Sequence, residues 1–176
     1  MLSFYGNKHL TCGEGGAVLT SDAGLAERVR HLRGQAQVSP GEYWHDTLGW
    51  NYRLTDLQAA VGWGQLSRAR DLIDRRRAVV QRYRANLSDS FPHQADLDAD
   101  EGWVAWWMEV IVVANRDQVR TVLAEQNIET RPGFVPLAQL PHLLTARDFP
   151  VSDKLGLGAL CLPTFADLPL ASVDAI

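Results

Sequence analysis

The sequence predicts an α/β protein in two lobes, and three observations carry that expectation. Short apolar runs rich in β-branched residues, "GGAVLT" (Gly15–Thr20) and "VIVV" (Val110–Val113), stand just ahead of stretches with helical periodicity. A strand that hands on to a helix in this way suits a layer of helices packed on a sheet. A polar, turn-rich stretch, "SDSFPHQADLDADEG" (Ser88–Gly102), then interrupts the pattern, which places one lobe at residues 1–87 and a second at 88–176.

In the first lobe, "GGAVLT" reads as a strand entered through glycines. The helix that follows, in "SDAGLAERVRHLRG", sets Leu25, Val29 and Leu32 at i, i+4 and i+7; Thr20, Ser21 or Asp22 can cap its start and Gly34 can close it. Gln35 to Tyr52 has no periodicity. It holds Pro40, Gly41 and Gly49 together with Trp44, His45, Trp50 and Tyr52, so it reads as a long functional loop. Helical order resumes at Thr55, where Thr55 and Gln58 form a capping box. Leu57, Val61 and Leu66 mark a face that Gly62 and Gly64 interrupt, which predicts a tight helix or subunit contact. A second helix carries the stripe Leu72, Ile73, Val79, Val80, Tyr83 and Leu87.

In the second lobe, "WVAWWMEVIVVA" reads as a strand from its aromatic and β-branched content. Asn115 and Gln118 predict a capped helix with Val119, Val122 and Leu123 on its apolar face. "IETRPGFVP" predicts a short strand broken by Pro132. Leu137 to Phe149 reads as loop with helical turns, and the rest as helix, loop and a new helix start.

Composition excludes several classes. The 176 residues are 46% apolar and carry a net charge of −4, so neither disorder nor a nucleic-acid or anionic-membrane surface is indicated. Arg75, Arg76, Arg77, Arg82 and Arg84 interleave with Asp71 and Asp74 and read as a solvated helix face. Cys12 and Cys161 form no disulfide framework, and no metal spacing links the five histidines. Without a leader-like or membrane-length apolar run, a cytoplasmic setting is expected. Both ends of the sequence read as interrupted elements.

Lys8 is one of two lysines in a chain that otherwise uses arginine. A lysine among glycines fits a nucleophile, a phosphate ligand or a surface ammonium. The phosphate loop is excluded because "GEGG" follows Lys8 rather than preceding it, and no Rossmann fingerprint follows a strand. Nucleophilic amine chemistry needs a lysine held by local geometry, where burial or nearby positive charge favours the neutral amine. The residues alone leave the surface reading open.

"SFYGNKHLTCGEGGAVLTSD" resembles the Schiff-base lysine segment of the pyridoxal-phosphate sugar aminotransferases of the DegT/StrS type; Ser3, Phe4, Lys8, Leu10, Thr11, Gly13, Glu14, Gly15, Gly16 and Thr20 all match its pattern. "GWNYRLTDLQAAVGWGQL" (Gly49–Leu66) resembles the second motif of the same family, in the expected order and separation, and "IETRPGFVPL" and "LCLPTF" extend the likeness along the chain. Within the family, "GQAQVSPGEYWHDTLGWNYR" is most similar to the GDP-perosamine synthases.

The resemblance implies the fold type I architecture of pyridoxal-phosphate transferases, here the end of the large domain and a small C-terminal α/β domain. It implies transfer of an amino group from glutamate to a nucleotide-linked 4-keto-6-deoxy sugar, and a homodimer. Lys8 would hold the cofactor and shuttle the proton; a histidine at this position marks the dehydratase relatives. Asn51 would reach the cofactor phosphate of the partner subunit. Arg53 would contact an anion, phosphate or glutamate carboxylate, or else form a structural ion pair. Trp44, His45 and Arg131 are candidates for the nucleotide-sugar cleft. Ala138 stands where many relatives carry a histidine. The aromatic that stacks on the cofactor, the aspartate that pairs its ring nitrogen and most phosphate ligands belong to a segment ahead of this lysine in the family. The alternative is therefore a fragment that keeps Lys8 without activity.

Overall fold

The computed structural model describes residues 1–39, 41–87, 90–92, 104–143 and 148–176. The chain divides into two compact units, Met1–Leu72 and Ile73–Ile176. The expected break after Leu87 adjoins residues 88–89 and 93–103, which lie outside the described ones.

In the first unit, β1 (Leu2–Ser3) and β2 (Gly16–Ala17) pair antiparallel, with Leu2 opposite Ala17 and Ser3 opposite Gly16. The expected strand over Gly15–Thr20 is therefore two residues long, and its partner comes from residues at which the sequence showed no element. α1 (Ala23–Arg33) begins at Asp22, whose carboxylate accepts from the Leu25 N–H at 3.0 Å; Arg30, His31 and Arg33 fill its last turn, where the two guanidinium charges suit the carbonyl end of the helix. α2 (Asp56–Leu66) starts with the expected capping box: the Gln58 N–H donates to Thr55 Oγ1 at 3.3 Å and the Thr55 N–H to Gln58 Oε1 at 3.0 Å. Its apolar stripe is not buried: Leu57, Val61 and Leu66 are exposed. Among the described residues of this chain, neither glycine marks a close helix contact. A Cβ on Gly62 would meet Cys12 at an ordinary 3.7 Å, and one on Gly64 would meet open space. Among the described residues, Cys12 and Ala36 are the buried apolar side chains of this unit.

α3 (Ala69–Leu87) runs from the first unit into the second and buries Arg76, Val79, Val80 and Tyr83. The second unit is a three-stranded antiparallel sheet in the order β3-β5-β4, from β3 (Glu109–Val112), β4 (Arg131–Pro132) and β5 (Ala159–Leu162). Between them lie α4 (Arg116–Glu125) and α5 (Pro150–Gly158), and α6 (Leu170–Asp174) follows. β5 occupies the centre and all four of its residues are buried. The sequence pointed there to helix and loop, because four apolar residues after glycines carry no alternation. A strand covered on both faces needs none. Pro132 sits on β4 at the sheet edge, where a missing N–H costs no ladder bond. Gly133 is required beside it, since a Cβ there would lie 2.5 Å from the Ala159 Cβ. Val79, Tyr83, Ile111, Val113, Leu160, Leu162 and Val173 form the core, with Val119 and Leu123 of α4 packed against it as the periodicity predicted, whereas Val122, expected on the same face, is exposed. Asn115 precedes α4 without a side-chain capping bond.

The arginine row of α3 is not a solvated face throughout. Arg76 is buried, donates to the Trp107 carbonyl at 3.2 Å, and has its pKa lowered by that burial. Arg84 lies 4.0 Å over the Trp106 ring and 3.7 Å from the buried Glu109 carboxylate. Arg75 pairs with Asp167. Arg82 grips Asp174 with two donors, at 2.5 and 2.6 Å, and Asn86 adds a third at 2.9 Å.

These bonds, from Arg82 first and then Asn86, hold the Asp174 carboxyl down at about 2. A depressed carboxylate stabilises the fold above its unfolded pKa, and that contribution is lost as the pH falls through the folded value. Asp174→Asn should lower the thermal midpoint at pH 7. Its deficit against wild type should shrink as the pH falls from about 4 toward about 2. Melting curves across that window check this, and a deficit independent of pH would contradict it.

Candidate active site

The segment around Lys8 is a loop closed on one carbonyl. Phe4 O accepts from the Cys12 N–H at 3.1 Å and from Thr11 Oγ1 at 3.0 Å, while the Phe4 N–H donates to Gly15 O at 2.9 Å. Inside this closure the Lys8 N–H donates to Tyr5 O at 2.9 Å, so the lysine sits in a hydrogen-bonded turn and is half-buried. Glycines make the exit possible. Gly13 (φ +84°) and Gly15 (φ +128°) occupy backbone conformations that side chains rarely adopt, and the Gly13 N–H donates to Thr11 Oγ1 at 2.9 Å. A Cβ on Gly16 would lie 2.6 Å from Leu2 O across the β1–β2 pair.

The second motif supports the first. The Gln65 amide of α2 accepts from the Thr11 N–H at 3.0 Å, and the Leu54 side chain fills the space beside Gly15. Gln65, Leu54 and Thr11 are the residues that sequence reasoning did not single out for the site. Their signal was their place inside the two matched motifs, where they read as pattern without a role.

Of the candidate binding residues, Asn51 and Arg53 are brought together. Asn51 Oδ1 accepts from Arg53 Nε at 3.2 Å. This leaves the Asn51 amide nitrogen and both terminal guanidinium nitrogens without a hydrogen bond among the described residues. Arg53 lines a cavity of about 910 Å³ together with Glu14, which the first motif matches, and with Arg30 and Arg33, which the sequence reading did not mark. The pairing of Gly34 with Asn51 holds this end of the aromatic loop beside the end of α1. Trp44 is 71% exposed, and the neighbouring His45 ring is bonded through Nδ1 to the Gln35 carbonyl at 2.7 Å. Trp50 and Tyr52 stack with ring centroids 6.0 Å apart. Arg131 belongs to the second unit, on edge strand β4, with its guanidinium 3.1 Å from Met108 Sδ. There it partly offsets the burial that raises the Cys161 thiol pKa. Ala138 lies in a short 3₁₀ turn, Leu137–Gln139.

The model of the DegT/DnrJ/EryC1/StrS aminotransferase family matches residues 1–176. The chain belongs to this family. GDP-perosamine synthase of Escherichia coli O157:H7 is 36% identical over 170 residues, covering 94% of this chain and 46% of that protein. GDP-perosamine synthase of Caulobacter vibrioides is 37% identical over 187 residues, covering 99% and 49%. Among solved structures, a DegT DnrJ EryC1 StrS aminotransferase from Brucella abortus superposes with a TM-score of 0.87 at 31% identity, covering 98% of this chain and 47% of that one. S. venezuelae DesV superposes at 0.80 with 31% identity, covering 98% and 49%. The DegT-family chain thus spans about half the length of the curated relatives it matches. The fold is that of these aminotransferases in part, as the sequence resemblance implied.

Members of the family depend on pyridoxal phosphate. The residue types present are compatible with that group: a lysine whose backbone sits in a hydrogen-bonded turn, and, in the second motif, an amide beside a guanidinium fork with unengaged N–H groups that suit an anion.

Gln65→Ala would leave the part-buried Thr11 N–H without its acceptor. The expected loss is about 1–3 kcal/mol, read by urea unfolding, together with faster hydrogen exchange at Thr11. Unchanged exchange at Thr11 would show that α2 does not hold the lysine loop.

Proposed function

We propose that the chain is the lysine-bearing part of a pyridoxal-phosphate-dependent nucleotide-sugar aminotransferase, similar to GDP-perosamine synthase. It would move an amino group from glutamate to a nucleotide-linked 4-keto-6-deoxy sugar, for cell-surface polysaccharide or O-antigen. The observation that carries this reading is the pair of sequence motifs joined in space, with Lys8 held in a turn of the loop that the join supports. The identity to two GDP-perosamine synthases along nearly the whole chain supports the sugar class. In this reading residues 1–87 end the large domain, residues 88–176 form the small one, and the working unit is a cytoplasmic homodimer.

Pyridoxal phosphate, when bound, supplies an aldehyde for the amino group and a ring that withdraws electrons from the carbon losing its proton. Lys8 Nζ would hold the aldehyde end of that group and would carry the proton, as a base and then as an acid. Arg53 and Asn51 offer N–H donors to phosphate or carboxylate oxygens, Asn51 to the partner subunit's site. Arg53 Nε bonded to Asn51 Oδ1 orients both groups together. Trp44 and His45, and independently Arg131, would each contact the nucleotide sugar.

The half-length coverage favours a second reading, in which these 176 residues alone keep Lys8 but do not turn over. One experiment separates the two. Adding pyridoxal phosphate should produce a visible absorbance band that Lys8→Ala abolishes, and borohydride should then fix the added mass on Lys8. A band that glutamate discharges supports the working transferase. A Lys8-dependent band that glutamate leaves unchanged supports the inactive fragment. No band, or one that survives Lys8→Ala, overturns the role given to Lys8.

A further inference from the structure

The long aromatic loop contains one histidine whose ring has a defined proton position. The His45 Nδ1 atom lies 2.7 Å from the Gln35 carbonyl oxygen. A carbonyl has no proton to give, so the ring nitrogen must be the donor, and the neutral imidazole is then the Nδ1–H form with its lone pair on Nε2. That Nε2 makes no hydrogen bond among the described residues. The other histidine in this region differs: His31 uses its Nε2 on the Asp46 carboxylate at 2.6 Å.

The Gln35 carbonyl is itself held in place. Gln35 and Ala36 take left-handed backbone angles, φ +69° and +54°, a conformation that non-glycine residues hold only where the surroundings enforce it. The enforcing contacts are the Gln35 N–H to Trp50 O at 2.9 Å, the Ala36 N–H to His31 O at 2.9 Å and the complete burial of Ala36. Gly49 makes the approach possible, since a Cβ there would sit 2.5 Å from the Ala36 nitrogen. Across the same turn Gln37 bridges His45, and the Val38 N–H donates to Trp44 O at 3.1 Å. Tyr43 and Trp44, beside the histidine, are 91% and 71% exposed. An acceptor nitrogen next to exposed aromatic rings is what a sugar needs, because its C–H faces pack on rings and its hydroxyls must donate.

We propose that His45 reads a hydroxyl of the sugar, with Nε2 as a hydrogen-bond acceptor whose tautomer is imposed by the Gln35 carbonyl. This rests on the nucleotide-sugar reading above and adds to it the role of one atom. A flexible exposed histidine would sample both tautomers and present donor and acceptor in turn. The strained Gln35–Ala36 turn removes that choice before the ligand arrives, so the site rejects an analogue lacking the hydroxyl.

The test uses the 176-residue chain with isotope-labelled histidine and long-range proton–nitrogen correlation spectra, the His45 signals being assigned by their loss in His45→Asn. The expected result is a protonated Nδ1 and an unprotonated Nε2; an Nε2–H tautomer, or a rapidly exchanging mixture, overturns the proposal. GDP-mannose, an intact nucleotide sugar, should then move the Nε2 resonance, while GDP alone should not. His45→Asn keeps an amide donor for the Gln35 carbonyl but has no group at the Nε2 position. It should weaken GDP-mannose about five- to tenfold, the worth of one hydrogen bond, and leave GDP unchanged. Equal binding of GDP-mannose by variant and wild type overturns the role of His45 alone. A wild-type chain that binds neither probe overturns the nucleotide-sugar reading, and the sugar contact with it.

Discussion

The first unit is organised around the Phe4 carbonyl. A backbone oxygen has two lone pairs, and here both are used across the same loop, one by the Cys12 N–H and one by the Thr11 hydroxyl. This double acceptance fixes how far the chain travels between β1 and β2, and with it the turn that carries Lys8. The remaining features of the segment serve the same closure. Thr11 passes its own N–H to Gln65, its hydroxyl also receives the Gly13 N–H, and two glycines take the backbone angles that let the strand return. Because the unit buries so few apolar side chains, polar bonds and backbone geometry carry much of the definition that a core would normally supply.

The second unit is built differently. Its sheet is narrow, yet its centre is a fully buried strand, and α3 contributes both apolar and charged groups to the same interior. The Glu109 carboxylate is almost wholly buried, with Arg84 as its ion-pair partner and Trp106 stacked on that guanidinium. Burial, and then the nearby Glu109 charge, push the Tyr83 hydroxyl well above its ordinary pKa, so it stays neutral. Such a pairing is costly to desolvate and costly to break from one side. Arginine is the suitable partner because its planar group keeps its charge while lying flat on an indole.

Much of this was legible in the sequence wherever the signal was local. The capping box of α2 and the Asp22 cap of α1 depend on residues within one turn, and both formed. The failures have a common cause. Arg76 and Arg84 lie in a row of charges that looks solvated, but which of them faces water depends on the sheet that packs against α3. "ALCL" gave no period because both its faces are covered. Asn115 occupies a capping position without making the capping bond, which shows that the residue type permits a cap without enforcing it. β1 was missed because two residues are too few for any period, and only pairing with β2 defines them.

By itself the sequence determined the family, the order of helices and the lysine on which the proposed chemistry turns, because spacing within a motif is a property of the chain. It also put Asn51 and Arg53 in one motif. Tertiary structure decided the rest: that Gln65 of one motif holds Thr11 of the other, that Arg53 orients Asn51, and that a strained Gln35 carbonyl sets the proton on His45. Two of these three bonds join residues that are neighbours only once the chain has folded. Direction and protonation depend on what stands opposite a group, and a sequence records only what stands next to it.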